Sequence, residues 1–489
     1  MKNLQTIQLS GARINFFLIA ILLLNFLLHI QIISVDIQGM HDWRQTQTMW
    51  NIKNFVDQDA NILNPRVSHY NHNHDNIYRY EFPIMQWAIA MVQKLLGQHI
   101  EIVRIMVFLI SIWGALGFFR LLRQLDFEAI PALSGFLFYL FSPVVFYYMI
   151  NPMPDNLALA SVMWYLYSIV RFHKQRTKKY LLFASVFLLL ATLAKLPFLM
   201  LSIVSIFYFA NDYIRKLGNW KDPLVNAVVQ LAILSPALVW YYYVMPGWKG
   251  NGVLTGIFGM DMDIMANLRI LRYHLYTMFP QILLSAPVWI PFFVGLYWSR
   301  KRFAVNKWFW FIVGITFTYL ILQWSVIGIV HDYYFFPFLP WLYLLVTNGI
   351  AHLVSKKRMR YDLIVILSLI ASPIFTYFIS MHKWENKWRN KDLYTHREAL
   401  ISAVPDDEKC IILNDRSTYI FAYQINKKGY IFDKDYLPAH WVKDLIENRD
   451  IKYLYSDSRI FEAKDDIKPM LDSLILDAGE VHVYRLKSE

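Results

Sequence analysis

The chain has 489 residues, a formal net charge of +12, 56% hydrophobic residues and only 17% charged ones. A soluble domain carries about 25% charged residues; the deficit here runs through most of the chain, which excludes an ordinary soluble enzyme and points to an integral membrane protein. The basic residues sit in short loops between apolar runs, with no basic helix or RNA-binding signature, so nucleic acid is not expected as a partner; the single cysteine, Cys410, excludes an intrachain disulfide framework and a cysteine-based zinc site.

The N-terminal region carries Lys2 and Arg13 ahead of an apolar run at 14–35. That run is longer than a signal-peptide core and no small-residue cleavage site closes it, so it reads as an uncleaved first span. A membrane-crossing helix needs about 20 mostly apolar residues. On that measure the chain contains about eleven spans: 14–35, 101–120, 129–149, 156–172, 180–194, 196–211, 225–245, 281–298, 308–324, 335–354 and 361–381. With the N-terminus in the cytoplasm, the inner loops hold Arg120 and Arg123; Arg171, Lys174, Arg176, Lys178 and Lys179; Arg215, Lys216 and Lys221; Arg300, Lys301 and Arg302; and Lys356, Lys357, Arg358 and Arg360. Every predicted inner loop is then basic, as the positive-inside rule requires. Merging 180–194 with 196–211 would turn the later basic loops outward, so the two are kept apart.

Two outer segments are long. Residues 36–100 include an amphipathic apolar stretch, Phe82 to Leu96, too short to span and suited to lie along the membrane surface. Residues 246–280 hold Gly247, Gly250, Gly252, Gly256 and Gly259 and read as a mobile loop. After residue 382 the composition turns polar. KCIILN (409–414), IKYLYS (451–456) and VHVYRL (481–486) read as strands, and HWVKDLIEN (440–448) as a helix. The expected organisation is an α-helical polytopic membrane module over 1–381, with its first outer loop at 36–100, followed by a small α/β domain over 382–489 on the outer face.

Four unusual polar clusters lie near span ends: Asp36, His41, Asp42 and Arg44 after the first span; Asn151, Pro152, Pro154 and Asp155 before 156–172; Lys195 between 180–194 and 196–211; and His331 with Asp332 before 335–354. All fall on the predicted outer face. Ionisable groups at membrane depth are costly and commonly line a cavity or a site, so one shared site is expected there. Each has a plainer reading: Asp155 as a helix cap, Lys195 snorkelling to the interface, HDYY as an aromatic belt, HDWRQ as a solvated loop. SHYNHNHD (68–75) is rich in histidine, but its spacing matches no standard zinc pattern and suits a polar surface loop.

HDWRQ (41–45), YEFP (80–83) before a surface helix, PD (154–155) and Lys195 together resemble the bacterial GT-C glycosyltransferases, relatives of the protein mannosyltransferases and the aminoarabinose lipid A transferases. The likeness covers the spans and loops up to about residue 380. It implies a bacterial inner-membrane enzyme that transfers a sugar, with inversion, from a polyprenyl-phosphate carrier to a glycan, lipid or protein acceptor on the outer face. It implies an acidic base in the first outer loop and basic residues on the lipid phosphate. Relatives continue the motif as QxDT; here it is QTQT, with Gln47 in place of that Asp. Asp42 is then the expected base and His41 its rival. Arg44 would orient the carboxylate or bind phosphate, Glu81 and Asp155 would engage sugar or acceptor hydroxyls, and Lys195 and His331, with Asp332, would meet the phosphate end. Trp43 and Gln45 complete the expected substrate contacts. Cofactor need is open between none and a divalent cation, which Glu81 or Asp155 would hold. The alternative is an O-antigen polymerase or ligase using pyrophosphate-linked oligosaccharide, compatible with Lys249, Arg269 and Arg272 in the second long loop.

Overall fold

A computed structural model describes residues 9–71, 73–215, 221–248, 263–302, 307–385, 391–414, 417, 419–433 and 437–487. The chain divides into two compact units: Met1–Val35, Tyr80–Met85 and His99–His382 form one; Asp36–Arg79, Gln86–Gln98 and Lys383–Glu489 form the other.

The first unit is helical: α1 (Gly11–Ile33), α4 (Ile100–Gln124), α5 (Ala129–Leu140), α6 (Pro143–Tyr148), α7 (Pro154–Gln175), α8 (Lys178–Ala194), α9 (Ile203–Ile214), α10 (Lys221–Val244), α11 (Ile264–Tyr273), α12 (Trp289–Arg302), α13 (Lys307–Leu322), α14 (Leu339–Ser355) and α15 (Met359–Glu385). The elements numbered between α1 and α4 are α2 (Asp42–Asp57) and α3 (Ile84–Leu96), the latter beginning just after the EFP stretch. Each of the predicted spans falls mainly on helix, with breaks inside 129–149 and 281–298. Among the described residues, however, only six helices are both long and apolar enough to cross a membrane, or seven if the pair Ile264–Leu283 and Ala286–Ser299, bent by 87°, counts as one. The physical reason is visible in α7 and α5. α7 buries residues around most of its circumference, including Asp155, Asn156, Ser161 and Ser168. A helix enclosed by other helices does not need an unbroken apolar surface. The segment 129–149 breaks at Phe141–Ser142, where Pro143 starts α6.

The separation of 180–194 from 196–211 holds. α8 ends at Lys195, whose backbone is extended (φ −160°, ψ 109°), and Leu196–Ser202 continues as a 3-10 helix with Pro197 near its start. Proline has no N–H to give and restricts the residue before it, so the α-helix cannot run through. The second long outer loop differs from expectation beyond residue 263: Asp263 caps α11 by accepting from the N–H of Ala266 at 2.6 Å, and a π-helix follows at His274–Leu283. Four of its five glycines, and Lys249, lie outside the described residues.

α12 and α14 cross at glycine. A Cβ placed on Gly295 would fall on the carbonyl oxygen of Leu345, and one on Gly349 would fall on that of Pro291. Small residues let helix backbones approach closely where lipid supplies no hydrophobic drive.

In the second unit a five-stranded sheet comprises β1 (Cys410–Asn414), β2 (Gly429–Asp433), β3 (Tyr453–Ser456), β4 (Leu471–Ala478) and β5 (Val481–Leu486), in the order β2-β1-β3-β5-β4. β1 runs parallel to β2 and β3; β5 is antiparallel to β3 and β4. The helices α16 (Ile420–Gln424) and α17 (Ala439–Arg449) lie in the same unit, with short helical turns at Lys391–Thr395, Arg397–Ser402 and Arg459–Glu462. Residues of the first outer segment belong to the same core: Trp50 and Val67 pack with Cys410, Ile412, Ile431 and Val483. The backbone of Tyr70 donates to Gly429 and that of Gly429 to Ser68.

Gly295→Val is expected to lower thermal stability sharply, since overpacking in a filled interface costs about 1–3 kcal/mol or more; Gly314→Val, where an added Cβ meets nothing within 4 Å, is expected to change it little. Comparing the melting temperatures of the two purified variants checks the close crossing.

Candidate functional site

In the helical unit, three chain segments meet at one ammonium. The Lys195 Nζ donates to Glu81 Oε1 at 2.6 Å and lies 3.7 Å from Asp155 Oδ1. Glu81 precedes Phe82, whose N–H bonds the Leu193 carbonyl at 3.0 Å, so the YEFP segment is tied to the end of α8. Trp240 donates to the Tyr80 carbonyl at 3.1 Å and Tyr241 to those of Thr192 and Leu193. Phe82 and Trp240 meet edge to face at 5.0 Å. Asp155 is not the cap of α7: Met153 holds that position, Pro154 is the first helical residue, and Asp155 lies in the first turn. Proline suits that position because the N–H it lacks would be an orphan, and a carboxylate there meets the positive end of the helix. Lys195 does not snorkel: its side chain is only 14% exposed, as is that of Glu81.

The loop ahead of α7 is fixed by a residue the sequence reading passed over. Arg104, fully buried in α4, donates to the carbonyls of Val35 (2.9 Å) and Ile150 (3.3 Å) and to the Asn151 side chain (2.7 Å). Asn156 then donates to the carbonyls of Tyr148 and Asn151. An arginine inside an apolar run was the available signal, since such a charge is costly unless it has work to do.

Asp332 is fully buried and accepts from the Tyr148 hydroxyl at 2.5 Å. Beside it, His331 Nδ1 donates to the Val326 carbonyl at 2.6 Å. Burial pushes its pKa below the ordinary histidine value, and the nearby charge of Lys195 pushes the same way against Asp332. A neutral imidazole that donates through Nδ1 carries its lone pair on Nε2. The fixed cation of this cluster is therefore Lys195, with Tyr334 next to it, its ring 5.8 Å from the ammonium.

The second unit holds the HDWRQ residues. They do not form a solvated loop: Asp42 starts α2, and His41, Asp42, Arg44 and Gln45 are buried. His41 has a left-handed backbone (φ 58°, ψ 31°) directly after Gly39 and Met40. That conformation costs an L-residue about 1–2 kcal/mol, and such strain clusters at functional sites. Asp42 Oδ1 accepts from the Trp43 N–H at 2.9 Å, at the positive end of the helix. Gln45 donates to the Met40 carbonyl at 3.0 Å; its Oε1 is buried and has no hydrogen-bond partner among the described residues. Arg44 donates to Gln47 Oε1, and Gln47 Nε2 donates to the Tyr419 hydroxyl at 3.3 Å. An amide can accept and donate at once, which a carboxylate cannot; that is the local use of Gln47. Asp36 accepts from the Tyr423 hydroxyl at 2.6 Å and pairs with Arg397 at 2.5 Å.

In the histidine-rich stretch, His72 lies outside the described residues. His74 bonds the Tyr430 hydroxyl at 2.8 Å, and burial lowers the His69 pKa to about 4. Among the described residues no group of three or more His, Cys, Asp or Glu could hold a metal ion. Glu81 and Asp155 are engaged with Lys195.

Arg104→Lys is expected to lower stability by about 2–4 kcal/mol, because an ammonium cannot span the acceptors that a planar guanidinium reaches and leaves buried carbonyls unbonded. A drop in melting temperature with retained membrane insertion checks it.

No curated protein sequence matches the chain. The family model for dolichyl-phosphate-mannose-protein mannosyltransferase matches residues 81–240, the stretch that contains Glu81, Arg104, Asp155 and Lys195. Among solved structures, ArnT from Cupriavidus metallidurans bound to undecaprenyl phosphate superposes with a TM-score of 0.60 at 12% identity, over 98% of each chain. The archaeal oligosaccharyltransferase AglB from Archaeoglobus fulgidus, in complex with an inhibitory peptide and a dolichol-phosphate, gives 0.59 at 10% identity, over 91% of this chain and 69% of that one. The mycobacterial arabinofuranosyltransferase AftD gives 0.55 at 12% identity, over 93% of this chain and 37% of that one. The chain therefore shares the fold of these membrane glycosyltransferases, and its residues 81–240 match the model of the mannosyltransferase family.

Proposed function

We propose that this enzyme transfers a sugar from a polyprenyl-phosphate carrier to a cell-envelope acceptor at the outer face of the bacterial cytoplasmic membrane, with its N-terminus inside. The observation that carries the reading is the Glu81–Lys195–Asp155 cluster, a fixed cation between two carboxylates inside the segment that matches the mannosyltransferases. The undecaprenyl phosphate in ArnT and the dolichol-phosphate in AglB support a lipid-monophosphate donor.

Attack of an acceptor hydroxyl on the anomeric carbon needs a group to take its proton. The departing lipid phosphate gains negative charge as the glycosidic bond breaks, and a preplaced cation lowers that cost. Lys195 takes the second role. Glu81 and Asp155 keep its ammonium in place and offer acceptors to sugar hydroxyls. Asp332, held by Tyr148, and His331, whose pKa burial lowers and whose ring is oriented by its bond to Val326, act by hydrogen bonding. In the other unit Asp42 is the proposed base and His41 the rival, with Arg44, Trp43 and Gln45 as substrate contacts; the unsatisfied Gln45 Oε1 suits a hydroxyl. The acceptor is a surface glycan, lipid A or a protein.

Transfer from a radiolabelled polyprenyl-phosphate sugar in membranes tests the proposal. Removing a base is expected to slow turnover about 10²–10⁴-fold, so Asp42→Asn, His41→Ala and Glu81→Gln separate the candidates. If all of them leave turnover unchanged in folded protein, the assignment is wrong. Lys195→Ala is expected to cost about 10²–10³-fold in kcat, the usual loss of one transition-state charge contact. Turnover of a pyrophosphate-linked oligosaccharide but not of the monophosphate sugar would favour the polymerase or ligase reading instead.

A further inference from the structure

A cavity of about 390 Å³ opens between the start of α1 and the end of α4. Ile14 and Leu18, with Asn15 beside them, line it from α1; Phe119, Arg120 and Arg123 line it from α4. On each helix these positions recur at the three- and four-residue spacing of a single face. Trp164 of α7 also lines the cavity, with its indole N–H donating to the Trp113 carbonyl at 2.8 Å.

The lining is mostly hydrocarbon, and its charges have one sign. Arg120 is exposed and makes no hydrogen bond or ion pair among the described residues. Arg123 uses one N–H on the Phe127 carbonyl at 2.6 Å, which leaves most of its five donors to other partners. Of the acidic residues in the following turn, Asp126 is paired with Lys174 at 2.7 Å, and Glu128 stands at the start of α5. The C-terminal end of α4 contributes about half a negative charge, which two guanidinium groups outweigh. Outside the cavity, α1 shows Phe16 and Ile19 at 66% and 65% exposure, a face suited to lipid rather than water.

We infer that this cavity binds one anionic glycerophospholipid, with the headgroup phosphate between Arg120 and Arg123 and an acyl chain along Ile14, Leu18 and Phe119. A free anion would meet the same guanidinium groups but has no use for the apolar walls. A zwitterionic lipid would fill the walls but brings a compensating cation to the arginines. Basic pockets between spans at the cytoplasmic end take anionic headgroups on these grounds, and these arginines lie at the end proposed above to be cytoplasmic. The inference does not rest on the transfer reaction.

The full chain in phosphatidylcholine nanodiscs, titrated with phosphatidylglycerol brominated on its acyl chains, tests it. Bromine quenches nearby tryptophan, so brominated phosphatidylglycerol is expected to quench more than brominated phosphatidylcholine at equal mole fraction. That excess should disappear in Trp164→Phe. In the double variant R120Q/R123Q the half-quenching mole fraction is expected to rise about thirtyfold, each basic residue near an anionic lipid being worth about 1 kcal/mol. Arg120→Gln alone, at an exposed position, is expected to give about a fivefold rise and serves if the double variant does not fold. Equal quenching by the two brominated lipids, an excess that survives Trp164→Phe, or titrations unmoved by the arginine variants would overturn the inference. Displacement of the lipid by inorganic phosphate at millimolar concentration would also overturn it, by reducing the site to a simple anion site.

Discussion

One ammonium organises the helical unit's polar centre. Lys195 lies where α8 stops, Glu81 arrives on the segment that enters α3, and Asp155 sits in the first turn of α7. None of these segments is adjacent in sequence. Away from water, breaking a pair by removing one partner costs about 3–5 kcal/mol, so the three segments are held to one geometry. The proline after Lys195 and the proline before Asp155 set the backbone breaks that aim both side chains inward.

The surroundings obey the same constraint. A buried polar group must find a partner or be paid for elsewhere, and the chain solves this repeatedly with backbone carbonyls. Arg104 gathers those of Val35 and Ile150; Asn156 gathers those of Tyr148 and Asn151; Tyr241 gathers those at the end of α8. The irregular stretch between α6 and α7 can therefore exist inside a helical bundle, because side chains replace the hydrogen bonds that a helix would have supplied.

The motif HDWRQ follows a different logic. It opens α2, places a strained His41 before the helix and leaves Asp42 at its positive end. Its neighbours along α2 reach into the small domain: Gln47 bonds Tyr419, and Trp50 packs on the sheet residues. The polar stretch 36–79 is thus part of the fold of the C-terminal domain, a role that a loop reading does not contain. Strands β1, β3 and β5 were legible from β-branched and aromatic runs, and α17 from its pattern. β2 and β4 were not, since GYIFD is short and LDSLILDA places exposed residues along most of its length.

Read alone, the residues point to a membrane protein, to a break between 180–194 and 196–211, and to Glu81, Asp155 and Lys195 as unusual polar groups at span ends. Apolar run length, loop charge, proline position and the motif residues are local quantities, and they survive without a fold. Which groups meet depends on the folded arrangement. It paired Lys195 with Glu81 and Asp155, gave Asp332 to Tyr148, made Arg104 the clasp of the loop before α7, and set Arg120 and Arg123 beside the apolar face of α1. It also decided that α7 can carry polar residues through a bundle, since whether a helix faces lipid or other helices depends on its neighbours and not on its own composition.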